Sequence, residues 1–304
     1  MSHNIDHRRG MWAAVAAFVL WGLMPLYWHA LRAVPSLQIL LHRIVWSTLM
    51  VGGLLCWRSG FEWMRAAVAR PGVAAWLALS GVLIGFNWGL YIWAVNAGHV
   101  VESALGYFIN PLFSVMLGVL VLHERLNRVQ WLSVAIAAAG VLWLTFNYGG
   151  FPWIALALAG SFGIYGLVRK LLGAPPVRGL GIENLYLLPA ALAFLAWAEI
   201  SGQGGCLSLQ HGYGFALDAM RVLAGLLTAL PLIGFAAAVQ RIPYSLVGLL
   251  QYISPTLQLL VGVLVLGEPF GRERAIGFAF IWIALALYAA DGLLRARRSR
   301  LATA

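Results

Sequence analysis

From Met11 to Leu294 the chain repeats one pattern, an apolar run of about 20 residues followed by a short polar break. At about 1.5 Å per residue, such a run coiled as a helix crosses a hydrocarbon layer of about 30 Å. Lipid offers no partner for backbone N–H and C=O groups, so these runs are held to helical conformation. Ten spans are delimited: Met11–Leu31, Leu37–Trp57, Val73–Asn96, Ser103–Leu122, Val129–Asn147, Pro152–Leu171, Ile182–Ile200, Ala219–Val239, Ser245–Leu266 and Ala275–Leu294. Composition agrees, with 62% hydrophobic and 10% charged residues and a mean hydropathy of +0.85. Soluble domains carry roughly 25% charged residues. The expected fold is an all-α polytopic membrane protein of ten transmembrane helices. The charged N-terminus followed by an apolar run imitates a signal peptide. That run is too long and no small-x-small cleavage site follows, so it reads as a retained first helix.

Charge sets the orientation. With the N-terminus in the cytoplasm, all of the 20 Lys and Arg residues fall in inner segments except Arg32, Arg221, Arg272 and Arg274 on the outer side and Arg43 within a span. This is the positive-inside bias, and it places both termini in the cytoplasm. A net charge of +10 and a pI near 10.2 also invite a nucleic-acid reading. The basic residues sit at the ends of apolar runs and form no recognition stripe, which excludes it.

Two segments repeat one another. "YFINPLFSVMLGVLVLHE" runs from Tyr107 to Glu124 and "QYISPTLQLLVGVLVLGE" from Gln251 to Glu268. They share Ile, Pro, Gly-Val-Leu-Val-Leu and Glu. The first lies in the fourth span and the second in the ninth, so they cross the membrane in opposite directions. This predicts a 5+5 inverted-topology repeat, residues 1–150 and 151–304, around a central cavity, an arrangement that puts transport sites near the midplane. A weaker echo links Phe18–Tyr27 to Ala159–Val168.

Each copy carries polar residues inside its helix. Ser103, Tyr107, Asn110 and Ser114 share one helical face, and Val247, Gln251, Ser254 and Gln258 hold the equivalent places. Polar groups are costly in hydrocarbon, so the stripe faces protein or water. It either lines a substrate cavity or joins helices by hydrogen bonds. Pro111 and Pro255 each remove a backbone donor, which predicts a kink that shapes a gate or hinge. Equivalence across the repeat sets Asn110 opposite Ser254 and Tyr107 opposite Gln251.

Further candidates lie in other spans. Asn87 and Tyr91 share a face of the third span and either line the cavity or bond a neighbour. Trp21, Tyr91 and Tyr165 offer aromatic surfaces to an apolar part of a substrate. Arg43 stands inside the second span, where a charge is a functional hypothesis by default. It pairs with an anionic substrate group, pairs with a carboxylate (Glu183 and Glu102 are the candidates near spans), or snorkels to backbone carbonyls. His42 either packs or titrates near neutral pH. Glu124 and Glu268 end the two repeat helices, where each marks the membrane boundary or bonds a loop. Cys56 and Cys206 fall on opposite sides and predict neither a disulfide nor a metal site. No P-loop, HExxH or GxSxG pattern is present. No cofactor and no metal are expected.

Several separate segments carry a family resemblance: "WGLMPLYWHAL" (Trp21–Leu31), "LLHRIVWS" (Leu40–Ser47), "NWGLYIWAVNAGHVVESALGYFINPL" (Asn87–Leu112), "HERLNRVQW" (His123–Trp131), "SFGIYGLVRK" (Ser161–Lys170), "GLLQYISPTLQ" (Gly248–Gln258) and "FAFIWIALALY" (Phe278–Tyr288). Nearly the whole chain is similar to the EamA family of the drug/metabolite transporter superfamily. The resemblance implies a bacterial inner-membrane permease with a central cavity between two halves; relatives in the superfamily export amino acids and other small metabolites. The expectation is a secondary transporter, an exporter of a small organic solute, in which rocking of the two halves exposes a midplane site to each side. Its partners would be a small-molecule substrate, a proton as candidate coupling ion, and lipid. No nucleic acid and no ATPase subunit are indicated. Two other classes stay open: an intramembrane enzyme, for which His42 with Arg43 is the reactive-looking pair, and a non-transporting sensor or assembly protein.

Overall fold

The computed structural model describes residues 2–68, 71–97, 99–147, 151–202, 213–267 and 271–301. Helices dominate them: α1 (Ser2–Ala30), α2 (Ser36–Ser59), α3 (Glu62–Val68), α4 (Pro71–Asn96), α5 (Val100–Leu120), α6 (Arg128–Phe146), α7 (Trp153–Leu172), α8 (Pro176–Ile200), α9 (Phe215–Arg241), α10 (Tyr244–Leu250), α11 (Ile253–Leu264) and α12 (Arg272–Leu301). Among the described residues ten stretches are long and apolar enough to span a membrane, with α10 and α11 together forming the ninth. These match the ten expected spans. Cys206 and Glu268 lie outside the described residues.

Helix α3 was not expected. It is seven residues long and lies between the second and third spans. Trp63 anchors it: the ring is buried, sits against Leu55 in the core and points its Nε1 at the Cys56 sulfur, 3.5 Å away.

The proline expectation divides. Helix α5 runs unbroken through Pro111. The second copy breaks at Gln251–Tyr252, one turn before Pro255. Pro255 has no N–H to give the Gln251 carbonyl, which accepts from Ser254 N at 3.0 Å instead. The same sequence device therefore leaves one helix continuous and splits the other.

The most extensive helix packing joins elements from opposite halves of the chain. Helix α1 packs on α9 and α11, and α7 packs on α4 and α5. Helix α2 lies against α8 and α9, α5 crosses α10, and α6 pairs with α12. Close approach at the α5–α10 crossing depends on Gly248, where an added Cβ would fall 2.6 Å from the Pro111 carbonyl oxygen.

Two arginines counted with the inner and outer charges, near the ends of the sixth and eighth spans, are buried in ion pairs. Arg169 meets Glu183 at 3.2 Å, and Glu183 also accepts from Ser80 and, at 3.3 Å, from the Tyr165 hydroxyl. Arg221 pairs with Asp218 one turn away.

Candidate functional site

A cavity of about 520 Å³ lies among α1, α2, α4, α5, α7, α9 and the α10–α11 break. Its lining reaches the α1–α2 connection at Leu31, Arg32, Val34 and Ser36, and the exposed Arg32 and Ser36 place its mouth there. Phe18, Trp21, Phe162 and Leu232 lie on its wall, and behind them an aromatic cluster continues to Phe235 and Tyr165.

Beyond that cluster the far end is tied shut. Glu124 accepts from Tyr244 N at 2.6 Å, Ser245 N at 2.8 Å and Ser245 Oγ at 2.6 Å. Its carboxylate thereby satisfies the orphan donors at the start of α10, where negative charge also suits the helix dipole. Lys170 Nζ donates to the carbonyls of Val239 and Ile242 at the end of α9, 2.9 and 2.8 Å away. The α9–α10 turn is thus gripped from both sides, with Lys170 and Glu124 3.9 Å apart. Of the two expected roles for Glu124, the structure shows the loop bond.

Most sequence candidates reach the cavity wall. Trp21, Arg43, Asn87, Tyr91, Tyr107, Asn110, Gln251, Ser254, Pro255 and Gln258 all line it, as does Ser103. The polar stripe also joins helices, so its two readings coexist. Ser114 lies deeper and donates to Gln251 Oε1 at 3.2 Å. Gln258 donates across to Trp21 O at 3.4 Å and, within α11, to Ser254 Oγ at 3.2 Å. Asn87 donates to Leu158 O at 2.8 Å and Ser161 Oγ at 2.9 Å. Asn110 differs: it is 9% exposed, and its Oδ1 has no hydrogen-bond partner among the described residues. The rings of Tyr91 and Tyr107 meet edge to face with centroids 5.8 Å apart, both open to the cavity.

Other candidates lie elsewhere. Tyr165 is 1% exposed, stacked on Phe235 and bonded to Glu183, beneath the cavity rather than on its wall. Pro111 is buried where Gly248 crosses α5. His42 turns from the cavity and packs its Nε2 3.4 Å from Arg221 Nη1. Adjacent helical residues point some 100° apart, so His42 and Arg43 diverge.

Arg43 pairs with neither Glu183 nor Glu102. Its Nε donates to Thr228 Oγ1 at 2.7 Å, and its guanidinium carbon lies 4.9 Å from the Trp28 ring centroid and 5.3 Å from that of Trp88. Glu183 is taken by Arg169, and Glu102 accepts from Ile154 N at 2.8 Å. Thr228 and Trp28 escaped sequence reasoning. The available signal for Thr228 was its position as a polar residue three before Pro231 in an otherwise oily span.

Comparison with known proteins bears on this arrangement. The model of the EamA-like transporter family matches residues 8–146. The chain is 43% identical over 300 residues to Protein RarD of Streptomyces exfoliatus, covering 99% of this chain and 94% of that one. It is 43% identical to the uncharacterized transporter YojE of Bacillus subtilis, covering 94% and 95% of the two chains. It is 41% identical to Protein RarD of Escherichia coli, covering 96% and 97%. A solved crystal structure superposes with a TM-score of 0.68 at 19% identity, covering 91% of this chain and 96% of the other, a likeness of fold.

Proposed function

This chain belongs to the EamA-like transporter family, within the drug/metabolite transporter superfamily, and on that premise we propose that it is a secondary transporter exporting a small organic solute across the bacterial inner membrane. The observation that carries the reading is a cavity among the spans with one open end and one tied end. A permanent channel would be open at both. Alternating access requires a site that meets one side at a time.

The two copies of the repeated segment supply facing walls. Packing supports a 5+5 inverted repeat: replacing each helix by its counterpart five spans on exchanges the α1–α9 and α1–α11 contacts for those of α7 with α4 and α5. The same packing favours mixed moving bodies. One is α1 with α9–α11, the other α7 with α4 and α5, and each draws on both sequence halves. By the positive-inside bias both termini are cytoplasmic, the mouth at the α1–α2 connection faces outward, and the Glu124–Lys170 clasp closes the inner side.

Polar side chains left over from helix joining would bind the solute. Asn110, with its unpartnered oxygen, Ser254 and Tyr107 are the foremost. The Asn110→Ala, Ser254→Ala double variant is expected to abolish flux in proteoliposomes while its elution and melting profiles stay those of the parent. Undiminished flux would remove the stripe from the site. Such a flux assay needs the solute class, which thermal stabilisation of the purified protein by metabolites would reveal.

A further inference from the structure

Within this transporter reading, we infer that the solute is an organic anion, gripped through a carboxylate by Arg43, and not a zwitterion or a neutral molecule. Three buried or cavity-facing arginines lie among the described spans. Arg169 and Arg221 have their own carboxylates in Glu183 and Asp218. Arg43 has none among the described residues. A guanidinium inside a span without a counter-charge is costly. The faces of Trp28 and Trp88 offset part of that cost through cation–π attraction.

The geometry leaves a fork free. Thr228 Oγ1 accepts the hydrogen bond from Nε. Neither η nitrogen has a hydrogen bond among the described residues, and the side chain lines the cavity. Two parallel N–H donors match a carboxylate bidentately, where a lysine would present a point charge. Tryptophan on two sides and Thr228 on a third fix the plane of that fork in advance.

The rest of the wall decides the sign of the solute. Its charged residues are Arg32 at the mouth and Arg43 within, and no Asp or Glu lines it among the described residues. An α-amino acid would bring an ammonium group to a wall with no carboxylate to receive it. A simple carboxylate brings only the charge the wall lacks. Trp21, Tyr91 and Tyr107 provide apolar surface for its body, within about 520 Å³. Arg32 at the mouth adds to the positive potential of the same cavity.

The test uses three probes with one body: 3-phenylpropionate, phenylalanine and 3-phenylpropionamide, followed by aliphatic and indolyl sets built the same way. Binding to the purified full-length protein is read by thermal stabilisation and calorimetry. In at least one set the carboxylate is expected to bind more tightly than its amino acid and its amide. Arg43→Gln would weaken that carboxylate by about ten- to a hundredfold, leave the amide unchanged, and keep the unliganded melting temperature near the parent's. Arg43→Lys, which keeps the charge without the fork, would fall between them. If no carboxylate in any set outcompetes its amide, or if Arg43→Gln binds it as the parent does, the proposal is overturned; the parent protein alone decides the first point, even if the variant misfolds. Proteoliposome flux separates this from the transport reading. Carboxylate-selective binding without flux would uphold the anion site and remove transport. Flux of a neutral solute, undiminished in Arg43→Gln, would keep transport and overturn the anion site.

Discussion

The Tyr252 hydroxyl donates to the carbonyl of Phe108 at 3.2 Å, joining the two residues that hold the same place in the two copies of the repeated segment. Nearly two turns further along α5, Ser114 bonds Gln251, so the crossing is tied at two levels. Tyr252→Phe removes one tie and leaves the packing of the buried ring in place. It should cost about 0.5–1.5 kcal/mol in thermal unfolding. A loss of flux much larger than that stability change would show that the crossing itself moves during transport.

The clasp at the tied end can be loosened. Glu124→Ala strips the start of α10 of its acceptor and should destabilise it by about 0.5–2 kcal/mol. In a chain with Cys56 and Cys206 changed to Ser, a cysteine at Leu232 on the cavity wall should then react faster with an impermeant thiol reagent applied from the clasp side. An unchanged rate would mean that the aromatic cluster alone seals this end.

Breaking the buried Arg169–Glu183 pair should be severe. Arg169→Met leaves the Glu183 carboxylate with only hydroxyl partners in Ser80 and Tyr165. The expected cost is about 3–5 kcal/mol, seen as a lower melting midpoint. Adding Glu183→Leu should recover much of the loss, since no uncompensated charge remains. A double variant as unstable as the sum of the singles would show that the two residues act independently.

Pro255→Ala returns an N–H to the Gln251 carbonyl and allows α10 and α11 to fuse into one helix. Melting temperature should rise and flux should fall, because the break positions Gln251 and Ser254 on the cavity wall. Flux equal to the parent's would show that the break is not a hinge.

By itself the sequence determined the membrane character, the ten spans and the duplicated segment. These follow from local rules: lipid admits only internally bonded helices, and an apolar run either reaches across or does not. It also marked Asn110, Ser254, Gln258, Tyr91 and Arg43, because a polar group in an oily run stands out without any knowledge of its neighbours. What such a group meets depends on how helices far apart in the chain cross, and only the tertiary structure decided it. Arg169 and Arg43 both sit in spans, yet the fold gives one a glutamate and the other two tryptophans and a threonine. Tyr165 and Tyr91 look alike in sequence, yet one lies under the floor and the other on the wall. Pro111 and Pro255 occupy matched positions in matched segments, yet one helix runs unbroken and the other is split.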